Sequence, residues 1–227
     1  MDSFRLTGLQ QALLEAFFSR CSTFFLTGGA ALVGFYFGHR ETKDLDLFAT
    51  PGTEFREGVA ALHDGAEALG ASVRLLRQDR DFLRAAVVRG EETTLVDLVL
   101  DRAPQVVLVK PMVGRVRLDP LREIAANKIC ATLDRFEARD LVDLQRLLAE
   151  GIRLADAVAD AQIKHAGADP ANLAWALSQI RVDPASPLPS NTSPETLEAF
   201  RENLIHALTS LALPETPEAG RIGTEKP

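Results

Sequence analysis

The stretch LTGGAAL at residues 26–32, together with DLDLF at residues 44–48, decides the fold of this chain. The first stretch continues a short, apolar and β-prone segment at residues 23–27, which meets Gly28 and Gly29. A glycine pair in this position marks a tight turn, here between a strand and a helix. Because glycine has no side chain, the backbone can approach a ligand closely, and the free N–H groups of the helix start suit a phosphate.

Asp44 and Asp46 belong to the second stretch, which has the alternating pattern of a strand. Residues two apart on a strand point to the same face, so the two carboxylates lie roughly 6.5 Å apart along the chain. That spacing suits two Mg²⁺ ions about 3.5–4 Å apart, which clamp the attacking and leaving oxygens of a phosphoryl transfer. Mg²⁺ also prefers carboxylates combined with substrate phosphates. Both aspartates are therefore candidate metal ligands.

The hydrophobic pattern predicts a mixed domain followed by helices. Up to residue 118, the predicted elements are a helix at 6–20, a strand at 23–27, a helix at 30–37, a strand at 45–49, a helix at 54–69, and strands at 72–76, 82–89 and 93–100. Further helices are predicted at 120–134, 138–149, 153–166, 170–180 and 197–211. We therefore expect an α+β fold with an α/β core at 1–118, a helical C-terminal region at 119–212 and a disordered tail at 213–227.

Composition and charge exclude several classes of protein. Of the 227 residues, 46% are hydrophobic and 25% are charged, which is ordinary for a soluble globular protein and excludes collagen, coiled coils and wholesale disorder. A net charge of −7 argues against a general DNA-coating protein. The most membrane-like stretch, residues 24–38, contains four glycines and is too short to span a bilayer. With two cysteines, Cys21 and Cys130, we expect a reduced, cytoplasmic protein without a disulfide framework.

The glycine pair, the helix and the Asp-x-Asp pair together resemble the polymerase-β-like nucleotidyltransferase superfamily. The finer pattern L-x-G-G-x-A-L, followed by R-x-x-x-D-L-D-L-F at residues 40–48, resembles the AbiEii/AbiGii-type nucleotidyltransferase toxins of abortive-infection and toxin–antitoxin systems. The resemblance covers roughly residues 5–150. It implies a mixed β-sheet flanked by helices and followed by a helical C-terminal region.

A second block supports the resemblance. Family members carry a lysine on one helix and the pattern R-D-x-x-D-L at the start of the next, which corresponds here to Lys128 and to residues 139–144. The functional lysine and aspartate of the family map to Lys128 and Asp140. Asp143 stands four residues after Arg139, and this spacing predicts an ordinary helix ion pair of about 0.3 kcal/mol. We therefore interpret Asp143 as a structural residue.

Asp97 is the candidate for a third acid, which the family usually takes from a later strand. It lies inside the apolar sequence LVDLV at residues 95–99, and a charge in an apolar strand needs a partner such as a metal ion.

The resemblance implies a transfer of a nucleoside monophosphate from an NTP to an acceptor hydroxyl, with release of pyrophosphate. The candidate site residues are Asp44, Asp46 and Asp97 for Mg²⁺ or Mn²⁺, Gly28, Gly29, Arg40 and Lys128 for the NTP, and Asp44, Asp46, Lys128 and Asp140 for catalysis. The acceptor expected from the family is a tRNA or another RNA, and the expected biological partner is an antitoxin. No membrane partner is expected.

Two alternatives stay open at this point. The same chemistry would serve to adenylylate a protein or a small hydroxylated molecule. A catalytically inactive nucleotide-binding module is the other alternative, because Ala30 stands where the family has a serine or threonine that helps to hold the phosphates.

A group of arginines follows the Asp-x-Asp pair in the sequence. Its members are Arg74, Arg77, Arg80, Arg84 and Arg89. They would suit RNA, but Asp79 and Asp81 lie among them, which favours a solvated edge of the sheet.

Overall fold

The structure, a computed structural model, describes residues 5–134, 137–182, 188–189 and 192–213. The first elements are α1 (Gly8–Phe18), β1 (Phe25–Thr27), α2 (Gly28–Ala31), a π-helical turn at Leu32–Tyr36 that continues α2, β2 (Asp44–Ala49), α3 (Phe55–Ala68), β3 (Ser72–Gln78), β4 (Phe82–Arg89) and β5 (Glu92–Leu100). They are followed by β6 (Met112–Val113), β7 (Val116–Arg117), α4 (Leu121–Asp134), α5 (Ala138–Ala149), α6 (Leu154–Lys164), α7 (Pro170–Ser178) and α8 (Pro194–Ala212).

Strands β1 to β5 form one mixed sheet in the order β1-β2-β5-β4-β3. β2 and β5 are parallel neighbours, whereas the other neighbouring pairs are antiparallel. β6 and β7 form a separate short hairpin. Helices flank the five-stranded sheet and a helical region follows it, so the predicted α+β fold is confirmed.

One face of the sheet packs into the hydrophobic core with α1 and α3. Side chains alternate along β2, so that Leu45, Leu47 and Ala49 are buried while Asp44 and Asp46 are half-buried on the opposite face. Because the apolar set fills one face completely, the register of β2 is fixed and the two aspartates are held on the other face.

The helical region joins the N-terminal part of the chain through α4, which contacts α2 as well as α5, α6 and α7. Just before α4, Leu118 forms a parallel bridge with Leu26 of β1. The next backbone N–H, that of Asp119, donates to the Leu26 carbonyl at 2.9 Å. The end of β1, where the glycine pair begins, is therefore tied directly to the start of the helical region.

Two predictions on chain organisation stay predictions. One hydrophobic cluster extends from Leu6 to Leu208, and it continues across the predicted boundary at residue 119. Of the predicted tail, Leu213 is exposed and residues 214–227 lie outside the described residues. Among the helices of the described ranges, none has the length and apolar character needed to cross a membrane.

Gln10 fastens α1 to the segment that leads into β2. Its side chain is buried, and Nε2 donates to the Thr42 carbonyl at 3.1 Å and to the Thr94 hydroxyl at 3.2 Å. Its Oε1 accepts a hydrogen bond from the Thr7 backbone N–H at 2.9 Å, which completes a capping box at the start of α1.

We expect Gln10→Ala to lower the free energy of unfolding by about 1–3 kcal/mol, because buried polar groups lose their partners. Urea denaturation measures the change. The matched control is Gln11→Ala, since the Gln11 side chain donates to the nearby Leu6 carbonyl and links no distant segments. We expect the control to change stability by less than about 0.5 kcal/mol. Equal losses in the two variants would show that Gln10 does not fasten α1 to β2.

Candidate functional site

The three predicted acids lie on one face of the sheet. Asp44 and Asp46 are two residues apart on β2, and Asp97 on β5 is directly opposite Asp46 in the parallel register. Neighbouring strands are about 4.8 Å apart, so the carboxylates of Asp46 and Asp97 project side by side. The face of β2 that carries Asp44 and Asp46 is therefore also the face on which Asp97 of β5 lies.

Two side chains of this site lie so close to Gly28 and Gly29 that a larger residue would clash with them. Gly28 has a φ of +64°, and a Cβ at this position would lie 2.3 Å from Asp46 Oδ2. A Cβ at Gly29 would lie 2.4 Å from Arg40 Nη2. The turn between β1 and α2 therefore packs directly against Asp46 and Arg40, which no other residue type would allow without displacing them. The next residue, Ala30, is fully buried in the hydrophobic core.

Asp143 is the centre of a buried charge cluster. The Arg40 guanidinium donates two hydrogen bonds to its carboxylate, from Nε to Oδ1 and from Nη2 to Oδ2, both at 2.7 Å. His39 Nε2 lies 2.8 Å from Oδ1, and Lys128 Nζ lies 2.8 Å from Oδ2. Burial alone would raise the pKa of Asp143, but Lys128, Arg40 and His39 hold that pKa well below its usual range.

The Arg139–Asp143 ion pair predicted from helix spacing is wrong. Asp143 is completely buried and faces the charge cluster, whereas the Arg139 side chain is 37% exposed. Arg139 instead pairs with Glu137 and lies 3.4 Å from Asp44 Oδ2. Burial favours a higher pKa for Asp44, but Arg139, Thr42 and Arg40 lower it, so this carboxylate is ionised at neutral pH.

Lys128 joins the charge cluster to Asp140. Its Nζ lies 2.6 Å from Asp140 Oδ1, in addition to its contact with Asp143. Burial alone would lower the pKa of Lys128, but Asp143 and Asp140 raise it above its ordinary value, so the ammonium group stays charged. Asp140 Oδ2 is buried and has no hydrogen-bond partner within the described ranges.

A cleft of about 400 Å³ lies between the sheet and the helical region. Its lining includes four predicted site residues, namely Gly28, Asp46, Lys128 and Asp140. The other predicted site residues, namely Gly29, Arg40, Asp44 and Asp97, are outside the lining. Phe48, Ile124 and Asn127 line the same cleft. A larger cleft of about 760 Å³, beside the first turn of α3, contains none of the predicted site residues.

Arg40, which the sequence analysis predicts to bind the triphosphate, is buried. It is 6% exposed, and its Nη1 donates to the Glu41 carbonyl while Nε and Nη2 hold Asp143. Three of its nitrogens are thus engaged, and contact with a triphosphate stays a prediction. The partner that its sequence position did not reveal is Asp143, which lies more than 100 residues away.

Arg84 of β4, assigned from the sequence to a solvated edge, makes a contact with Asp97 that was not predicted. Its Nε and Nη2 donate to the two oxygens of Asp97 at 2.7 Å and 2.5 Å, in a two-pronged ion pair. A signal was present in the sequence, because an arginine occupies an inner position of an otherwise apolar strand.

The three carboxylates on this face differ in their fit to a divalent cation. Within the described residues, no group of three or more His, Cys, Asp or Glu side chains is arranged to hold a metal ion. Asp97 is engaged by Arg84, whereas Asp44 and Asp46 are carboxylates on one face with Asp46 at the cleft. Two carboxylates completed by substrate phosphates are a donor set that Mg²⁺ commonly uses, so the pair fits this cation.

A second buried charge network, also not predicted, supports the glycine turn. The Thr27 hydroxyl donates to Asp119 Oδ2 at 2.6 Å, and Lys110 Nζ lies 2.6 Å from Asp119 Oδ1. Lys110 also lies 3.7 Å from Glu123 Oε2, and Glu123 pairs in turn with Lys164. These contacts fix the last residue of β1, immediately before Gly28, against the start of α4.

The fold and the cleft place this chain among proteins of the nucleotidyltransferase fold. The sequence matches the family model described as "Nucleotidyl transferase AbiEii toxin, Type IV TA system" over residues 12–217. The match includes most of the chain, so this protein belongs to the AbiEii family of nucleotidyltransferase toxins, as the sequence patterns predicted. Among proteins with curated descriptions, none matches the sequence significantly.

Several solved structures have a similar fold. JHP933 from Helicobacter pylori is 19% identical, with a TM-score of 0.57 and 90% of each chain covered. MenT4, the nucleotidyltransferase toxin Rv2826c from Mycobacterium tuberculosis H37Rv, is 15% identical, with a TM-score of 0.57, and the match covers 88% of this chain and 82% of that one. At these identities, the similarity establishes a shared fold.

We expect Asp143→Asn to lower the free energy of unfolding by about 3–5 kcal/mol near neutral pH, because it leaves buried cations without their counter-ion. The pKa of Asp143 is lowered by folding, so its contribution is present above the unfolded value of about 3.9 and is lost as the pH falls below it. The stability difference between wild type and variant should therefore stay level above about pH 5 and shrink between about pH 5 and pH 2. Thermal denaturation across that range measures it.

The control for this prediction is Asp156→Asn, which removes a 61% exposed carboxylate on α6. It should change stability by less than about 0.5 kcal/mol at every pH. A difference between wild type and Asp143→Asn that stays constant, or that grows on acidification, would contradict the assigned ion pairs.

Proposed function

We propose that this protein transfers a nucleoside monophosphate from an NTP to an acceptor hydroxyl, with release of pyrophosphate, and acts as the toxin of a toxin–antitoxin pair. The proposal takes an RNA, such as a tRNA, as the acceptor. The observation that carries it is the meeting of Gly28, Asp46, Lys128 and Asp140 in one cleft, although they lie up to 112 residues apart in sequence. Membership of the family implies an antitoxin as the protein partner.

In this proposal Asp44 and Asp46 hold Mg²⁺ or Mn²⁺. When bound, the cation supplies positive charge against the phosphates and favours loss of the proton from the acceptor hydroxyl. Asp44 is ready for this role because its lowered pKa keeps it ionised at neutral pH. Asp97 is the proposed third ligand, which requires its carboxylate to separate from Arg84.

The remaining residues supply charge and position. Lys128 keeps its positive charge at the cleft, where it would oppose the charge of the triphosphate. Asp140 lines the cleft and holds the Lys128 ammonium through Oδ1, so that it would orient this ammonium toward the nucleotide. Arg40 acts in this proposal through Asp143, which it fixes beside Lys128, so that it is a positioning residue.

We expect Asp46→Asn to reduce nucleotide transfer by about 100-fold or more, equivalent to at least about 2.7 kcal/mol of transition-state stabilisation. The measurement is incorporation of label from each α-³²P NTP, with Mg²⁺ or Mn²⁺ present, into total cellular RNA and protein. The control is Asp64→Asn, which changes an exposed carboxylate on α3 and should leave incorporation unchanged.

The location of the label distinguishes the candidate functions. Label on RNA that depends on Asp46 supports the proposal. Label confined to protein would replace it with protein adenylylation. NTP binding without any incorporation would replace it with a nucleotide-binding module that has no catalytic activity.

We also expect Arg84→Gln to tighten Mn²⁺ binding by about 3- to 10-fold, because it frees the Asp97 carboxylate and removes a positive charge near Asp44 and Asp46. Isothermal titration with Mn²⁺ in the absence of nucleotide measures the affinity. Arg89→Gln is the matched control, since Arg89 lies on the same strand and pairs with Glu92. Unchanged or weaker Mn²⁺ binding by Arg84→Gln would remove Asp97 from the proposed ligands.

A further inference from the structure

A row of polar side chains crosses the whole sheet. The directly opposed residues are, from one edge to the other, Thr27, Asp46, Asp97, Arg84 and Arg77. Directly opposed residues on neighbouring strands project to the same face. The face that carries the proposed metal ligands therefore continues into arginines on β4 and β3.

A register shift brings a second β3 arginine to this face. Arg74 is opposite Ala86, whereas Arg77 is opposite Arg84, because the β3–β4 register shifts between Leu75 and Arg77. In a regular strand, residues three apart project to opposite faces. The extra residue re-aims the strand, as β-bulges do, and both arginines project to the face of the acids.

This part of the sheet is open to solvent. β3 is the edge strand and nearly all of its residues are exposed. The side chains of Arg77 and Arg84 are 70% and 42% exposed. Arg74 is exposed and makes no ion pair with any described residue. Arg77 and Arg84 are paired with Asp79 and Asp97, so Arg74 adds the uncompensated positive charge of this part of the face.

The acidic residues that favoured a plain solvated edge do not cancel this charge. Asp81 pairs with Arg102, which is not one of these arginines. Asp79 pairs with Arg77, and both side chains are more than half exposed. Exposed ion pairs of this kind contribute little to stability, so another anion readily replaces the carboxylate.

An aromatic ring lies among the arginines. Phe82 is half-buried on β4, and its position on the strand places it on the same face as Arg84. The Arg77 guanidinium lies over the Phe82 ring, 5.3 Å from its centre. Cations that follow a phosphate backbone, combined with aromatic and guanidinium planes on which bases stack, characterise surfaces that bind single-stranded nucleic acid.

We propose that Arg74, Arg77, Phe82 and Arg84, here called the arginine ledge, bind the single-stranded end of an RNA and lead its terminal hydroxyl to the acids. Three strand spacings separate Arg77 from Asp46, or about 14 Å, which a few nucleotides can span. The assignment of this RNA as the acceptor rests on the proposed function. The binding of RNA by the ledge does not rest on it.

The test measures binding of a 5′-fluorescein single-stranded RNA of about 12 nucleotides by fluorescence polarisation, without NTP. We expect Arg74→Gln/Arg77→Gln to bind this RNA about 5- to 20-fold more weakly. The slope of log affinity against log salt concentration should become about 1.4 less steep, because two phosphate contacts are lost. The control is Arg20→Gln/Arg153→Gln, which removes the same charge from the turn after α1 and from the residue before α6. The control should bind as the wild type does.

Phe82→Leu separates stacking from charge. This variant keeps an apolar side chain but loses the ring, so we expect single-stranded RNA to bind about tenfold more weakly with an unchanged salt dependence. A duplex RNA of the same sequence should bind the wild type more weakly than the single strand does, because its bases cannot reach the ring.

Several results would overturn the ledge. The first is an RNA affinity of Arg74→Gln/Arg77→Gln that equals that of the wild type. The second is a loss of RNA affinity in the control pair as large as in that variant. The third is equal binding of duplex and single-stranded RNA together with no effect of Phe82→Leu. A protein as the sole labelled acceptor, together with an RNA affinity that the ledge variants do not change, would also overturn it.

The failure of the proposed function has a different signature. Asp46→Asn should lose transfer while it keeps RNA affinity, whereas the ledge variants should raise the KM for RNA and keep NTP affinity. Transfer that survives in Asp46→Asn would reject the proposed function, and the binding measurements would still decide the ledge.

Discussion

The buried carboxylate of Asp143 is the constraint on which the arrangement of this protein depends. It receives Arg40 and His39 from the segment before β2 and Lys128 from α4, while it belongs itself to α5. Taking so many charges out of water is costly, and the cost is offset here because each cation faces a carboxylate at hydrogen-bond distance. The cluster therefore holds three separate segments in one relative position, and the proposed nucleotide-binding side chains follow from that position.

The cluster also explains why the glycine pair takes its shape. Arg40, which holds Asp143, lies so close to Gly29 that a Cβ there would clash with its guanidinium, and Asp46 lies equally close to Gly28. The turn between β1 and α2 is therefore shaped by the side chains behind it as well as by any phosphate in front of it. A second network, built on Asp119, Lys110 and Thr27, holds the same turn from the side of β1. The turn is thus held from two directions by buried charges.

Local pattern was sufficient to predict part of this protein. The alternation in β2 placed Asp44 and Asp46 on one face, and the resemblance to a family supplied the sheet, the helical region and Lys128 with Asp140. The partners of the buried charged residues were harder to predict, because two residues that pair across more than 100 positions produce no periodic pattern in the sequence. Arg139 shows the difficulty, since helix spacing suggested Asp143 whereas burial turned Asp143 inward and left Arg139 beside Asp44. The β3 register shift is likewise invisible in a strand that reads as regular.

The distribution of the cleft along the chain has a consequence for synthesis. The segment up to residue 118 carries the acids of β2 and β5, while Lys128, Asp140 and Asp143 emerge from the ribosome later. A nascent or truncated chain that lacks α4 and α5 therefore has the carboxylates without Lys128, the cation proposed to face the phosphates. The same chain has no counter-ion for Arg40. Assembly of the proposed site is in this way coupled to completion of the fold.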